Sequence, residues 1–402
     1  MLDTQGMVMQ KDEVVIVGIA RTPQGNLLGV LKDFTAPKLG AIAIQSAILR
    51  AKLSPKDIQE VIMGCVLPAG QGQAPARQAA LGAGLPESVP CTTINKMCGS
   101  GMKAVMMAYD SILAGSHSII VAGGMESMTN APYLLPKARS GYRLGHGELL
   151  DHLMLDGLED AYDKRRPMGE FAEECAKQYG FTREQQDDFA INSLERAQKA
   201  IREKSFTAEI APIIVKEKSA DRIIDTDEHP LSVKIEKVRQ LLPIFKKDGT
   251  VTAANSCSIS DGAAALVLMS KQAAEKQGIR PLAKIIAHSD FAKAPSQFTT
   301  APIDATKKLL EKIHWSVDQV DLFEINEAFA VVALAAMQDL KIPREKLNIH
   351  GGGCALGHPI GATGARIIVT LIAALSKYQL QRGIASLCIG GGEATAIAIQ
   401  RI

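Results

Sequence analysis

Cys98 lies in NKMCGSGMKAV (residues 95–105), next to two glycines and a serine and ahead of an apolar run. The spacing predicts an amphipathic helix over MKAVMMAYDSILAG (102–115), closed by glycine, with Cys98 and Gly99 at or just before its first turn. Unpaired amides and the positive end of the helix dipole collect there. That setting favours a thiolate and lowers a cysteine pKa. The glycines let a substrate come close to the backbone. The arrangement suits a nucleophile whose adduct carries an oxyanion, although a buried cysteine at a tight turn has the same pattern. Three more groups invite a chemical reading. His358 stands between Gly357 and Pro359 in GGGCALGHPIGATGAR (351–366), before another helix start, where a neutral imidazole can take a thiol proton. Cys388, in LCIGGGE (387–393), ends a buried strand before three glycines whose free amides can bind an anion. Asn326, in NEAF (326–329), follows the strand VDLFEI and can fix a water or polarise a carbonyl. Each alone has a structural alternative: a packing cysteine, a structural histidine, a turn asparagine.

Only a fold that gathers these residues makes them one site, and the sequence contains such a plan. EVVIVGIART (13–22) reads as a buried strand, residues 38–53 as a helix, and SPKDIQEVIMGCV (54–66) as a capped turn running into a strand. HSIIVAGGMESM (117–128) follows as another buried strand with a glycine turn. The order then returns: PLAKIIAHSDF (281–291), IDATKKLLEKIHW (303–315), SVDQVDLFEINEAF (316–329), GHPIGATGARIIVTLIAAL (357–375) and SLCIGGGEATAIAI (386–399). Both copies carry Gly-Gly with a glutamate two residues on. The pattern is that of a duplicated α/β half. A charged, helical segment at 129–256 is too long for a connector and reads as an insertion. SISDGAAALVLMS (258–270) returns to the core, with Asp-Gly as a turn. The expected organisation is a first half of 1–128 plus 257–280, an inserted loop domain at 129–256, and a second half at 281–402. Paired glycine-rich helix starts would bring His358 towards Cys98.

Apolar residues make up 47% and aromatics 4%, so small aliphatic side chains must fill a large core. The net charge of +2 argues against a nucleic-acid partner or a membrane surface. Apolar runs such as IIVTLIAAL (367–375) are short for a bilayer, and MLDTQGMVMQKD (1–12) has no cationic start or apolar signal core. Seven cysteines, an odd number without zinc spacing, favour free thiols in a reducing compartment, so a cytoplasmic location is expected.

With these motifs in view, the chain resembles the thiolase family over essentially its whole length. NKMCGSGMKAV is similar to the nucleophile motif, NEAFA to the asparagine motif, GHPIGATGAR to the histidine motif and CIGGGE to the second-cysteine motif, all in family order. The resemblance implies an α-β-α-β-α layered core and a reversible Claisen condensation of two acetyl-CoA to acetoacetyl-CoA and CoA. Cys98 would be acylated, and His358 would activate it. Cys388 would remove the α-proton of the second acetyl-CoA. A water held by Asn326, with His358, would bind the thioester oxyanion, and the backbone amides of Cys98 and Gly390 would form the other oxyanion site. CoA would be a substrate, with no metal or redox cofactor, and the family norm implies a homotetramer, a dimer of dimers.

LMLDGLEDAY (153–162) and PMGEFAEECAKQYG (167–180) look like the loop of short-chain members. Met168 would narrow the acyl pocket, and Leu158, Phe245, Ala253, Ala328 and Phe329 fall where the family touches CoA. Lys237 and Cys257 stand where serines are common, Phe298 replaces a methionine, Pro167 replaces a histidine, His350 an asparagine, and Glu393 stands where many members carry methionine. Lys237, Arg239, Lys246 and Lys247 could meet the CoA phosphates or form a solvated basic face. The alternatives are a degradative 3-ketoacyl-CoA thiolase of broader chain length, a non-catalytic acyl-CoA binder, a thiol redox sensor and a ketoacyl synthase, the last set apart by its usual single cysteine with two histidines or His and Asn.

Overall fold

A computed structural model describes residues 13–216 and 220–402, so MLDTQGMVMQKD lies outside the described residues. The first half runs through β1 (Val14–Arg21), α1 (Ala36–Arg50), β2 (Glu60–Gly64), β3 (Cys91–Ile94), α2 (Ser100–Leu113) and β4 (Ile119–Ser127). The inserted segment contains α3 (Met168–Tyr179) and α4 (Arg183–Arg202), and β5 (Ser260–Ser270) brings the chain back. The second half contains β6 (Ala283–Ala292), α5 (Ala301–Ile313), β7 (Leu322–Ile325), α6 (Ala330–Leu340), α7 (Ile360–Lys377), β8 (Arg382–Ile389) and β9 (Glu393–Arg401).

The strands line up as β3-β2-β4-β5-β1 in the first half and β7-β8-β9-β6 in the second. Both pass from parallel pairing (β3/β2 and β2/β4 in the first half, β7/β8 in the second) to antiparallel steps (β4/β5 and β5/β1; β8/β9 and β9/β6). The halves meet where β1 pairs with β6, Val15 opposite Lys284 and Ile16 opposite Ala283, so the two sheets form one continuous path.

Side chains alternate between faces along a strand, and here both faces are covered. Val15 and Val17, with Ala263, Ala265 and Val267, pack against α1 on the outside. Val14 and Ile16, with Ala264, Leu266 and Leu268, turn inwards onto α2 and α7. In the second half Ile397 and Ile399 join this inner cluster, while Ala394, Ala396 and Ala398 face α5 and α6. The result is a five-layer α-β-α-β-α stack with α2 and α7 as the central layer. Helix α7 is 18 residues long and apolar enough to cross a membrane by length and composition, but 89% of that stretch is buried inside the protein. Its apolarity on all sides serves a core position.

Two local expectations are corrected. Gly123 and Gly124 do not turn the chain but lie within β4, and Asp261-Gly262 lies within β5. A Cβ on Gly123 would stand 2.1 Å from the Ala264 carbonyl oxygen, and one on Gly124 2.0 Å from that of Gly361. These glycines permit close approach of a neighbouring strand and of α7. The insertion is tied to the core by a buried ionic cluster. Arg21 on β1 donates to Glu209 at 2.7 Å and to Asp227 at 2.7 and 2.9 Å. All three side chains are shielded from solvent, so removing one would strand the others.

Candidate active site

Cys98 is held on a stiff bend. Met97 adopts φ 46°, a left-handed value rare for a side-chain-bearing residue. Ser100 fixes the bend, accepting from the Lys96 amide at 2.8 Å and donating to the Met97 carbonyl at 2.6 Å. Helix α2 starts at Ser100 with Gly99 as its cap. A Cβ on Gly99 would lie 2.3 Å from the terminal methyl of Ile389, whose side chain packs against this glycine. A second close approach sets the histidine. A Cβ on Gly101 would lie 2.8 Å from the Ala365 nitrogen, and one on Gly364 2.4 Å from the Met102 nitrogen. The first turns of α2 and α7 therefore nearly touch, and Cys98 and His358 open onto the same cavity.

That cavity has a volume of about 550 Å³. Cys98, His358 and Gly390 line it, together with Leu158, Met168, Cys257, Phe298, Ala328 and Phe329. Lys237, Phe245 and Ala253, expected at the CoA, do not line it. Phe245 packs edge-on against Phe329 at 6.1 Å between ring centroids and so supports the wall from behind. Lys237, in a short 3-10 helix (Ile235–Gln240), and Ala253, at a bend, are both exposed. Arg239 is engaged in an ion pair with Asp188. Asn326 and Cys388 are buried behind the wall, 1% exposed each. Asn326 follows β7 and its backbone amide donates to the Ser386 carbonyl at 3.0 Å. Neither its Oδ1 nor its Nδ2 has a protein partner.

Electrostatics distinguish the groups. His358 makes a 2.6 Å contact from Nδ1 to the Thr363 hydroxyl, which itself donates to the Pro359 carbonyl at 2.9 Å. That chain assigns the ring proton to Nδ1 and leaves the Nε2 lone pair without a protein partner. Burial, assisted by the charge of Arg366, lowers the ring pKa from 6.5 to about 3, so the imidazole is neutral near pH 7. The Cys98 thiol shifts against the expectation from helix position. Burial pushes it from 9.0 up to about 11, and the amides of Gly390 and of Cys98 itself offset this only in part. The Cys388 thiol is driven well above 9.0 by burial and then by negative charge on Cys98 and Cys257. The resting site is thus neutral: thiols beside an unprotonated imidazole nitrogen. Gly390 directs its N–H at the Cys98 sulfur from a turn in which Gly391 and Gly392 have φ of 95° and 91°.

Several groups escaped the sequence reading. Thr363, which orients the imidazole, sits within the GHPIGATGAR stretch, and its place one turn into the helix was a usable signal. Ser258, whose carbonyl accepts from the His358 amide at 3.1 Å, carried no signal of its own. Nor did His152, a cavity-wall residue whose Nδ1 lies 2.6 Å from Asp156. Glu126 accepts from the amides of Val66, Leu67 and Gly361 at 2.9, 3.1 and 2.8 Å and so joins the cavity wall to the start of α7. Among the described residues no cluster of His, Cys, Asp and Glu could hold a metal ion.

Comparison with known proteins agrees with this architecture. The thiolase N-terminal domain model matches residues 14–272 and the thiolase C-terminal domain model residues 279–401. The acetyl-CoA acetyltransferase of Schizosaccharomyces pombe is 47% identical over 98% of this chain and 100% of its own length. Acetyl-CoA acetyltransferase 1 of Arabidopsis thaliana is 50% identical over 98% of this chain and 95% of its own. The Acat5 thiolase of Ascaris suum, solved in complex with coenzyme A, superposes with a TM-score of 0.91 at 41% identity, covering 97% of this chain and 100% of that one. The layered duplicated fold, the four motifs and these matches lead to one conclusion: the chain belongs to the thiolase family.

Proposed function

We propose that the protein is an acetyl-CoA C-acetyltransferase, joining two acetyl-CoA into acetoacetyl-CoA and CoA through an acetyl group carried on Cys98. The observation that carries this reading is the meeting of Cys98, the unpartnered His358 Nε2 and the Gly390 amide on one cavity. The full-length relatives named acetyl-CoA acetyltransferase support the substrate.

The proton balance follows from the resting state. Cys98 sulfur attacks the thioester carbonyl while His358 Nε2 takes its proton. The oxyanion is held by the Cys98 and Gly390 amides, each such donor contributing about 3–4 kcal/mol. The tetrahedral adduct expels CoA as thiolate, which takes the Cys388 proton. This leaves an imidazolium and a Cys388 thiolate. That thiolate removes the α-proton of the second acetyl-CoA. The imidazolium N–H and a water held by Asn326 stabilise the enolate oxygen. The enolate carbon bonds to the acyl carbon, the Cys98–acyl bond breaks, and Cys98 recovers its proton from His358. Cys388 keeps the α-proton, so every group returns to its starting state. Cysteine pKa values raised by burial suit this cycle, because each thiolate forms only when an acceptor for its proton is at hand. The bookkeeping needs no metal or redox cofactor.

Leu158, Met168, Cys257, Phe298, Ala328 and Phe329 would surround the acyl group and the adjoining part of CoA, with Phe245 behind. Lys237 and Ala253 would lie along its outer portion. Bulky Met168 and Phe298 on the wall favour a short acyl group over a broad-range degradative role. Free thiols at all seven cysteines suit a cytoplasmic location. The segment from Tyr133, 64% exposed, to Leu149, 63% exposed, presents apolar side chains suited to contacts in a homotetramer. Thiolysis rates measured against 3-ketoacyl-CoA length test the activity: the reading expects acetoacetyl-CoA to be cleaved fastest, and equal or faster cleavage of long chains would overturn the acetyl preference.

A further inference from the structure

The oxyanion site joins two loops from opposite halves of the molecule, and neither holds the other by much. The nucleophile bend is stiff in itself, through Ser100 and the left-handed Met97. The facing turn, Gly390–Gly392, has no side chains with which to pack. A Cβ on Gly391 would meet nothing within 4 Å. The turn is anchored on its far side, where the Gly392 carbonyl accepts from the Lys293 amide at 2.8 Å. On its near side Ile389 rests against Gly99. Besides the Gly390 N–H directed at the Cys98 sulfur, an ion pair between side chains crosses between the loops. Lys96, two residues before the nucleophile, forms an ion pair with Glu393, three residues after the amide donor. Both side chains are part-buried, 24% and 37% exposed. Lys103 pairs with Asp290 nearby at 3.2 Å, so that carboxylate is already engaged.

We propose that the Lys96–Glu393 pair is a positioning device that holds the Gly390 amide against the Cys98 sulfur and so sets the oxyanion site. The inference rests on the acyl-Cys98 chemistry above. A part-exposed ion pair contributes little to global stability. Its value here is geometric, because small misplacements at a reacting centre cost large factors in rate. Lys96 and Glu393 are positioning residues, acting through Gly390 rather than on substrate.

Single-turnover acetylation of Cys98 by acetyl-CoA, followed by mass spectrometry, tests this in Lys96→Met, Glu393→Gln and the reversed pair Lys96→Glu/Glu393→Lys. Each single variant is expected to be acetylated roughly ten-fold more slowly, with KM for acetyl-CoA and the thermal midpoint essentially unchanged. The reversed pair is expected to recover to within about three-fold of wild type, the signature of coupled residues. Wild-type rates in the single variants overturn the proposal. So does a reversed pair that shows the two losses added together, or a rate loss accompanied by a large fall in thermal midpoint. A wild-type protein that gains no acetyl group at all overturns the acyl-Cys98 reading instead, so the two failures are distinguishable.

Discussion

The two copies of the α/β half use one short pattern, Gly-Gly followed by a glutamate two residues on, in opposite ways. In the first copy Gly123 and Gly124 remain in β4, pressed against β5 and α7, and Glu126 is fully buried on three backbone amides. In the second copy Gly390–Gly392 reverse the chain between β8 and β9, and Glu393 reaches the surface to pair with Lys96. One copy spends its glycines on packing, the other on a turn that frees an amide. Duplication supplies the scaffold twice, and function resides in how the copies have diverged.

This contrast can be broken by substitution. The largest effect is expected for Glu126→Ala, which leaves three buried amides without an acceptor. At about 1–3 kcal/mol for each stranded group, the loss is roughly 3–9 kcal/mol, read as a lower midpoint in denaturant. Gly124→Ala comes next. Its Cβ would meet backbone, which cannot swing aside, and overpacking of this kind costs about 1–3 kcal/mol or more. Gly391→Ala, in open space, should cost only the strain of its left-handed φ, about 1–2 kcal/mol. Smallest is Glu393→Ala, expected to change unfolding free energy by less than about 1 kcal/mol. If Glu393→Ala destabilised as much as Glu126→Ala, the two glutamates would share one structural role and the contrast would fail.

The titration of the site sharpens the comparison on the nucleophile side. With the Cys98 thiol pushed up to about 11, its alkylation by iodoacetamide should rise about ten-fold per pH unit from pH 7 to 9, following the thiolate fraction. A plateau below pH 8 would mean that the helix start dominates burial. His358, lowered to about 3, does not change its protonation near its ordinary 6.5. Its contribution to stability has the corresponding sign: folding favours the neutral ring, so the contribution is intact above pH 6.5 and declines as pH falls towards 3.

Strand and helix order was legible because buried strands and amphipathic helices leave periodic patterns, and the repeat of β1-α1-β2 as β6-α5-β7 reinforced them. The meeting of Cys98 with His358 was legible for a related reason: two glycine-rich helix starts in equivalent positions must lie close if the halves are copies. What escaped depended on neighbours distant in sequence. Whether Gly-Gly is a turn or a contact is decided by Ala264 and Gly361, not by the glycines. The sign of the Cys98 shift was missed because helix position is local and visible, whereas burial is summed over the whole fold. Lys237 and Ala253 were read as CoA contacts by analogy of position; both lie exposed outside the cavity.

The most direct test of the central claim is the site of acetylation. Mass spectrometry of the protein mixed with acetyl-CoA alone should show one acetyl group on the peptide containing Cys98, absent in Cys98→Ala and formed far more slowly in His358→Ala. An acetyl group found on Cys388 or Cys257 instead, or none on the wild-type protein, would contradict the account.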